Sequence, residues 1–117
     1  MDKRFRRASI VAAATAAVMA CSPAQALSFN DISGKWCSAG GSEEFTRNTL
    51  IAIRSSDRAR FDFKIERYEF GETTVTVYWV DTKKQSVNTD FGEFSADGRH
   101  MVQFKNEAGP RREFRRC

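Results

Sequence analysis

Few side chains in this chain are suited to catalysis. His100 is the only histidine. With no second histidine and no free cysteine, a zinc site or an activated thiol is hard to assemble. Glu43 and Glu44 are adjacent carboxylates, but neighbouring residues of a strand point to opposite faces and do not converge on one substrate. We therefore expect a non-enzymatic protein with no catalytic residue, no metal site and no cofactor.

The first 26 residues have the pattern of an export signal. A basic stretch from Lys3 to Arg7 precedes the apolar segment Ile10 to Ala20 and the small-x-small site Ala24 to Ala26. An apolar segment of about 11 residues is too short to span a membrane, which takes about 20. We predict a cleaved signal peptide over residues 1–26, one domain over residues 27–117, and a periplasmic location.

A second interpretation of this segment is lipid attachment. The stretch Val18 to Cys21 loosely resembles a lipoprotein cleavage box in which Cys21 is the lipidated residue. Met19 fits that box poorly, whereas Ala24 to Ala26 fits a conventional cleavage site well. We therefore favour soluble export, with a lipid anchor at Cys21 as the alternative.

Cys37 and Cys117 are the two cysteines that remain after the predicted signal. Disulfides persist in oxidising compartments, so we predict that these two residues pair. The bond closes a loop of about 80 residues, and in the chain-entropy model it destabilises the unfolded state by roughly 4.5 kcal/mol. That is a large contribution for so small a domain.

The formal net charge of +4 is mostly a property of the predicted signal. That segment holds four of the 19 Lys and Arg and one of the 15 Asp and Glu, which leaves a net charge of +1. Such a balance argues against nucleic acid as a partner. The last predicted strand nevertheless carries Arg111, Arg112, Arg115 and Arg116. We favour a solvated charged strand, and we keep these arginines as a candidate contact site for an acidic partner, an anionic glycan or phospholipid headgroups as the alternative.

The alternation of apolar and polar residues after position 27 is typical of strands, and no segment has helical periodicity. Phe61, Phe63 and Ile65 share one strand face, and a change of phase near Glu66 predicts a β-bulge. The predicted strands are 32–38, 43–47, 49–54, 60–70, 73–80, 85–95, 99–105 and 111–117.

About eight short strands with turns every 8–12 residues predict an all-β fold: a small antiparallel up-and-down β-barrel, with a β-sandwich as the alternative. A disulfide needs Cα atoms about 4.4–6.8 Å apart, so the first and last strands must be neighbours, and a meander then closes into a barrel. Within the seventh strand, Val102 and Phe104 are expected to face the interior.

An eight-stranded barrel is either filled by side chains or holds one small ligand. We regard Trp79, Phe61 and Phe63 as candidate ligand-lining residues, and a filled core as the default.

The segment Gly34 to Trp36 resembles the first strand of calycins, the superfamily of lipocalins and avidins, where the tryptophan packs across one end of the barrel. This resemblance implies a barrel. It also adds Ser42 to the candidate ligand-lining residues, because Ser42 matches a serine of the avidin biotin pocket and Trp79 matches a tryptophan of that pocket. Ser38 and Cys37 depart from the avidin pattern.

The whole chain resembles small exported proteins of Gram-negative bacteria that have no known activity. The shared features are the start Gly34 to Cys37, an aromatic hairpin over residues 61–79 and the end Arg115 to Cys117. Periplasmic inhibitors of lysozyme and of proteases are similar in size and barrel form, although the Ser-Gly-x-x-Tyr loop of the lysozyme inhibitors is absent here. We predict a non-enzymatic periplasmic binding or envelope-associated protein, whose partner is an unknown protein or a small apolar ligand. The alternatives are an inhibitor-like protein that binds a periplasmic enzyme and a small apolar ligand carrier.

Overall fold

The computed structural model describes residues 25–117, in which one short helix precedes eight strands. Residues 1–24, with Cys21, lie outside the described residues, so the signal peptide and the lipid anchor stay predictions. The elements are α1 (Phe29–Ile32), β1 (Gly34–Ser38), β2 (Gly41–Phe45), β3 (Thr49–Arg54), β4 (Arg60–Phe70), β5 (Thr74–Val80), β6 (Ser86–Gly92), β7 (His100–Gln103) and β8 (Arg112–Arg116). Within residues 25–117, no helix has the length and apolar character needed to cross a membrane.

Every strand pairs antiparallel with its neighbour in chain order, and β8 pairs back with β1 to close the sheet. This confirms the predicted up-and-down β-barrel over the alternative sandwich. The closing seam is short, with Trp36 opposite Arg116 and Cys37 opposite Arg115. The predicted disulfide joins Cys37 and Cys117 beside this seam, with a Cα–Cα distance of 5.0 Å. A covalent bond thus reinforces a seam that has only two paired positions.

The interior is filled over much of its length by alternate strand residues. The register of β4 against β5 shifts between Ile65 and Arg67, which confirms the predicted bulge and lets Tyr68 pack on the core together with Phe63. The buried core consists of Ile32, Trp36, Phe45, Leu50, Ile65, Val75, Val77, Phe91, Met101 and Phe114.

The phase predicted for β7 is wrong. Met101 is paired with Phe114, and both belong to the core, so Val102 lies on the outer face. The ring of Phe104 packs outside against Gly92, where an added Cβ would come within 2.6 Å of it. Val102 is also buried, although it lies outside the core cluster, so hydrophobicity alone does not indicate which face of the sheet is inside.

The two ends of the barrel differ in how they are covered. At the closed end, α1 lies across the barrel with Ile32 fully buried, and the indole Nε1 of Trp36 donates to the Ile32 carbonyl oxygen at 2.8 Å. The other end, where no helix lies, we call the open end. The closed end contains residues 25–33 and the connections 46–48, 71–73 and 93–99, and the open end contains the connections 39–40, 55–59, 81–85 and 104–111.

Candidate functional site

A cavity of about 130 Å³ lies just inside the open end. For comparison, an apolar cavity of about 150 Å³ holds benzene, so this one matches a body of about a single ring. Its apolar wall includes Phe45, Leu50, Phe63, Val77, Trp79 and Phe91, its polar side chains are Glu43, Thr89, Gln103 and Arg112, and connection 104–111 contributes Ala108, Gly109 and Pro110.

Two aromatic rings form one side of the cavity. Phe63 and Trp79 meet edge to face, with ring centroids 4.9 Å apart. The Trp79 indole Nε1 donates to the Thr89 hydroxyl oxygen at 3.1 Å, so its one donor is engaged and the ring presents apolar surface to the cavity. Thr89 accepts this bond and keeps its own proton for another acceptor.

Glu43 is the acidic group of the cavity. It stands opposite Trp36 on one side and Ala52 on the other, which places its side chain on the interior face of β2. Burial raises the pKa of Glu43 from 4.5 to about 7, while the positive charge of Arg112 lowers it, because a partly apolar environment disfavours the ionised carboxylate. At neutral pH about half of these carboxyls therefore carry a proton that can be donated.

Arg112 is the basic group of the cavity. It is paired with Gln103, which is in turn paired with the core residue Phe91, so all three face the interior. The guanidinium lies at the exposed rim, where a Cβ added to Gly40 would be 3.5 Å from Arg112 Nη1. Within residues 25–117 the arginine ion pairs are Arg54–Asp57, Arg60–Asp62, Arg67–Glu69 and Arg111–Glu93. Arg112 is in none of them.

Gln103 holds the connection above the cavity in place. Its side-chain Nε2 donates to the Pro110 carbonyl oxygen at 2.9 Å, and Asn106 Nδ2 donates to the Asn88 carbonyl oxygen at 2.7 Å. These bonds fix connection 104–111 over one side of the mouth of the cavity.

The predicted ligand-lining residues divide between two places. Trp79 and Phe63 line the cavity. Phe61 stacks on Phe63 with ring centroids 6.2 Å apart, in an adjoining depression at the rim where the Arg54 guanidinium lies 5.3 Å from the Phe61 ring centroid. Ser42 borders that depression and not the cavity.

Strand alternation also separates the four predicted contact arginines. Arg112 and Arg116 face the interior at opposite ends of β8, whereas Arg111 and Arg115 face outward. Arg111 forms an exposed ion pair with Glu93 at 3.5 Å. The structure therefore does not bring the four arginines together as one surface.

Arg116 belongs to the closed end. Its guanidinium carbon lies 3.8 Å from the Trp36 ring centroid, in cation–π geometry. Its N–H groups donate to the backbone carbonyl oxygens of Ser33 (2.5 Å), Gly98 (3.2 Å) and Asp31 (3.3 Å). The side chain thus ties α1 and connection 93–99 to the end of β8.

Sequence reasoning missed three polar residues of the cavity. Glu43 and Thr89 each precede a core phenylalanine by two positions, so strand alternation could have placed both inside. Gln103 shares the interior face with Met101. It was not identified because the phase predicted for β7 was wrong.

The fold and this cavity define a small closed β-barrel with one plugged end and one open end. Within the described part of the chain, no group of three or more His, Cys, Asp or Glu side chains could hold a metal ion. In comparisons with known proteins, no family model matches the chain, and no curated protein or solved structure is significantly similar to it.

Proposed function

We propose that this chain is a non-enzymatic binding protein of the bacterial periplasm that takes a small ligand into the open end of its barrel. The observation that carries the proposal is the cavity, where an apolar wall with two aromatic rings meets a few convergent polar groups. This combination is typical of sites for small molecules. The periplasmic location is supported by the pattern of residues 1–26 and by the Cys37–Cys117 disulfide.

The hydrogen bonds of the cavity favour binding over catalysis. Thr89 is the one hydroxyl-bearing residue among those that line it, and its oxygen accepts from Trp79. Glu43 has no hydrogen bond to Thr89 among its interactions, so the nucleophile–base pair on which hydroxyl catalysis depends is not formed.

Native mass spectrometry of the protein purified from periplasm tests this proposal. Ala108 is exposed and borders the cavity, so Ala108→Trp covers the mouth without entering the core. Ala96→Trp, in an exposed turn at the closed end, is the matched control. We expect a bound molecule of about one-ring size in the parent protein and in A96W, and its loss in A108W. A molecule retained equally by A108W would place the ligand elsewhere, and no bound molecule in any sample would count against a carrier.

A protein partner is the second candidate function, as an inhibitor-like protein would have. It is supported by Arg115, which is exposed on the outer face opposite His100 and belongs to none of the ion pairs of the described residues. Affinity capture from periplasmic extract would return a stoichiometric protein with the parent chain and not with Arg115→Glu. Capture that is equal for both would exclude this residue as the contact.

A further inference from the structure

We infer that the ligand is a small organic anion: a carboxylate carried on an apolar body of about one ring, with the carboxylate at the rim and the ring inside. This inference rests on the proposed function of the cavity as a binding site, and it adds the chemical class of the ligand.

The free guanidinium of Arg112 is the first reason. It borders the cavity, and it forms no ion pair with any carboxylate of residues 25–117. A guanidinium offers parallel N–H donors that match both oxygens of one carboxylate. The side chain therefore supplies both the charge and the geometry that an anionic headgroup needs.

The protonation of Glu43 is the second reason. Its burial disfavours ionisation, so at slightly acid pH the cavity holds a neutral carboxylic acid beside Arg112. A protonated carboxyl can donate a hydrogen bond to an incoming carboxylate, and the free proton of the Thr89 hydroxyl gives one more donor. In this state the polar groups lining the cavity are predominantly donors next to a positive charge.

The charges around Glu43 are consistent with this preference. The positive charge of Arg112 on β8 lowers the pKa of Glu43, and Arg54 of β3, which is ion-paired with Asp57, lies in the adjoining depression that Glu43 also borders. Its register partners Trp36 and Ala52 carry no charge. An anion at the rim thus meets one readily protonated carboxyl and the guanidinium of Arg112, which has no ion pair among the described residues.

The distribution of charge along the barrel axis adds attraction over a longer range. Apart from the ion-paired Arg111 and Glu93, the connections of the open end carry four Lys and Arg and three Asp and Glu, whereas the segments of the closed end carry two Arg and three Asp and Glu. A positive rim raises the local concentration of anions and the rate at which they enter.

The body of the ligand is defined by the deeper wall. Phe45, Leu50 and Phe91 line the cavity together with Phe63 and Trp79, and burial of apolar surface there stabilises a ring by roughly 25 cal/mol per Å². A headgroup at the rim stays partly hydrated, so binding does not require full desolvation of its charge.

Titration calorimetry with three probes of matched shape tests the inference: benzoate, benzyl alcohol and benzylamine, at pH 6. We expect benzoate to bind at least about tenfold more tightly than the other two, because of the three probes only benzoate can accept two charged hydrogen bonds from the Arg112 guanidinium. Arg112→Gln should reduce benzoate affinity to that of benzyl alcohol. Arg111→Gln, the adjacent residue on the outer face, is the matched control and should leave it unchanged.

The pH dependence isolates Glu43. Raising the pH from 6 to 8 ionises this carboxyl next to the bound anion, so benzoate affinity should fall by about fivefold or more in the parent protein. In Glu43→Gln the amide keeps a donor and does not titrate, so benzoate affinity should stay constant. Thermal melts of each variant establish that it is folded.

The remaining outcomes separate this inference from the proposed function. Equal binding of the three probes that Ala108→Trp abolishes would overturn the anion inference and leave the cavity as a binding site. Tightest binding of benzylamine would overturn it as well. Failure of all three probes to bind at millimolar concentration would overturn both the inference and the proposed function.

Discussion

Two arginines on one strand show how the two ends of the barrel differ. Arg112 and Arg116 both belong to β8 and both face the interior. Arg116 covers the ring of Trp36 and donates to three backbone carbonyl oxygens at the closed end, while Arg112 stands at the open rim without an ion pair among the described residues. The same residue type thus holds the fold together at one end and is free to meet a ligand at the other.

The buried polar groups repeat this contrast. At the closed end the Trp36 indole has its acceptor in the Ile32 carbonyl. At the open end the carboxyl of Glu43 lies in a site that disfavours its charge. Proteins give up local optimisation mainly at functional sites, so the open end is where a function is expected.

Removal of the disulfide should have the largest effect on stability. The β1–β8 seam has two paired positions, so the Cys37–Cys117 bond carries much of the closure. Replacing both cysteines with serine should cost roughly 4.5 kcal/mol, and since each kcal/mol shifts a domain of this size by about 4–8 °C, the melting temperature should fall by well over 5 °C. Circular dichroism melts of both forms measure this. An unchanged melting curve would mean that the seam does not depend on the bond.

Ionisation of Glu43, a residue of the open end, should have the next largest effect on stability. Its pKa rises from 4.5 to about 7 on folding, so between these values the folded state keeps a proton that the unfolded state has lost. Stability from this group is complete below pH 4.5 and decreases as the pH rises to about 7, by about 3 kcal/mol.

Denaturant titrations between pH 4.5 and 8 measure this loss. Glu43→Gln should be more stable than the parent at pH 8 and should lack this part of the pH dependence. Glu44→Gln, the next residue on the opposite face of β2, is the control and should keep the parent profile. A parent profile as flat as that of E43Q would mean that Glu43 is well solvated.

The smallest expected change in stability comes from replacing the two arginines of β8, one at each end of the barrel. Arg116→Ala removes charged hydrogen bonds and a cation–π contact, so we expect a loss of about 2 kcal/mol in the free energy of unfolding. Arg112→Ala should change it by less than about 0.5 kcal/mol, as exposed substitutions usually do. Equal losses in urea titrations would show that the open end is as structural as the closed end.

Much of the barrel could be predicted because its longest strand has a clear pattern. Alternation in β4 located its interior face and its bulge near Glu66, and the positions of Cys37 and Cys117 predicted which strands close the sheet. Helix α1 escaped prediction because four residues are too few to show a helical period.

The site was harder to predict because it depends on strand phase and on burial. Val102 and Phe104 are apolar, so they were predicted to face the interior. Because they lie on the outer face, the predicted phase of β7 was wrong and Gln103 was not recognised as an interior residue. The four C-terminal arginines were treated as one group, although alternation along β8 sends Arg112 into the cavity and Arg111 outward. The raised pKa of Glu43 results from neighbours on other strands, which no local pattern contains.

The two tryptophans provide the most direct test of the central claim that the open end binds and the closed end supports. Trp79 lines the cavity, and Trp36 is buried at the closed end. Their indole N–H resonances in NMR spectra therefore report on the two ends separately, and the spectrum of Trp79→Phe assigns them. On titration with benzoate, we expect a saturable shift of the Trp79 resonance and a stationary Trp36 resonance. A shift of Trp36 with Trp79 unmoved, or saturable benzoate binding that moves neither, would contradict it.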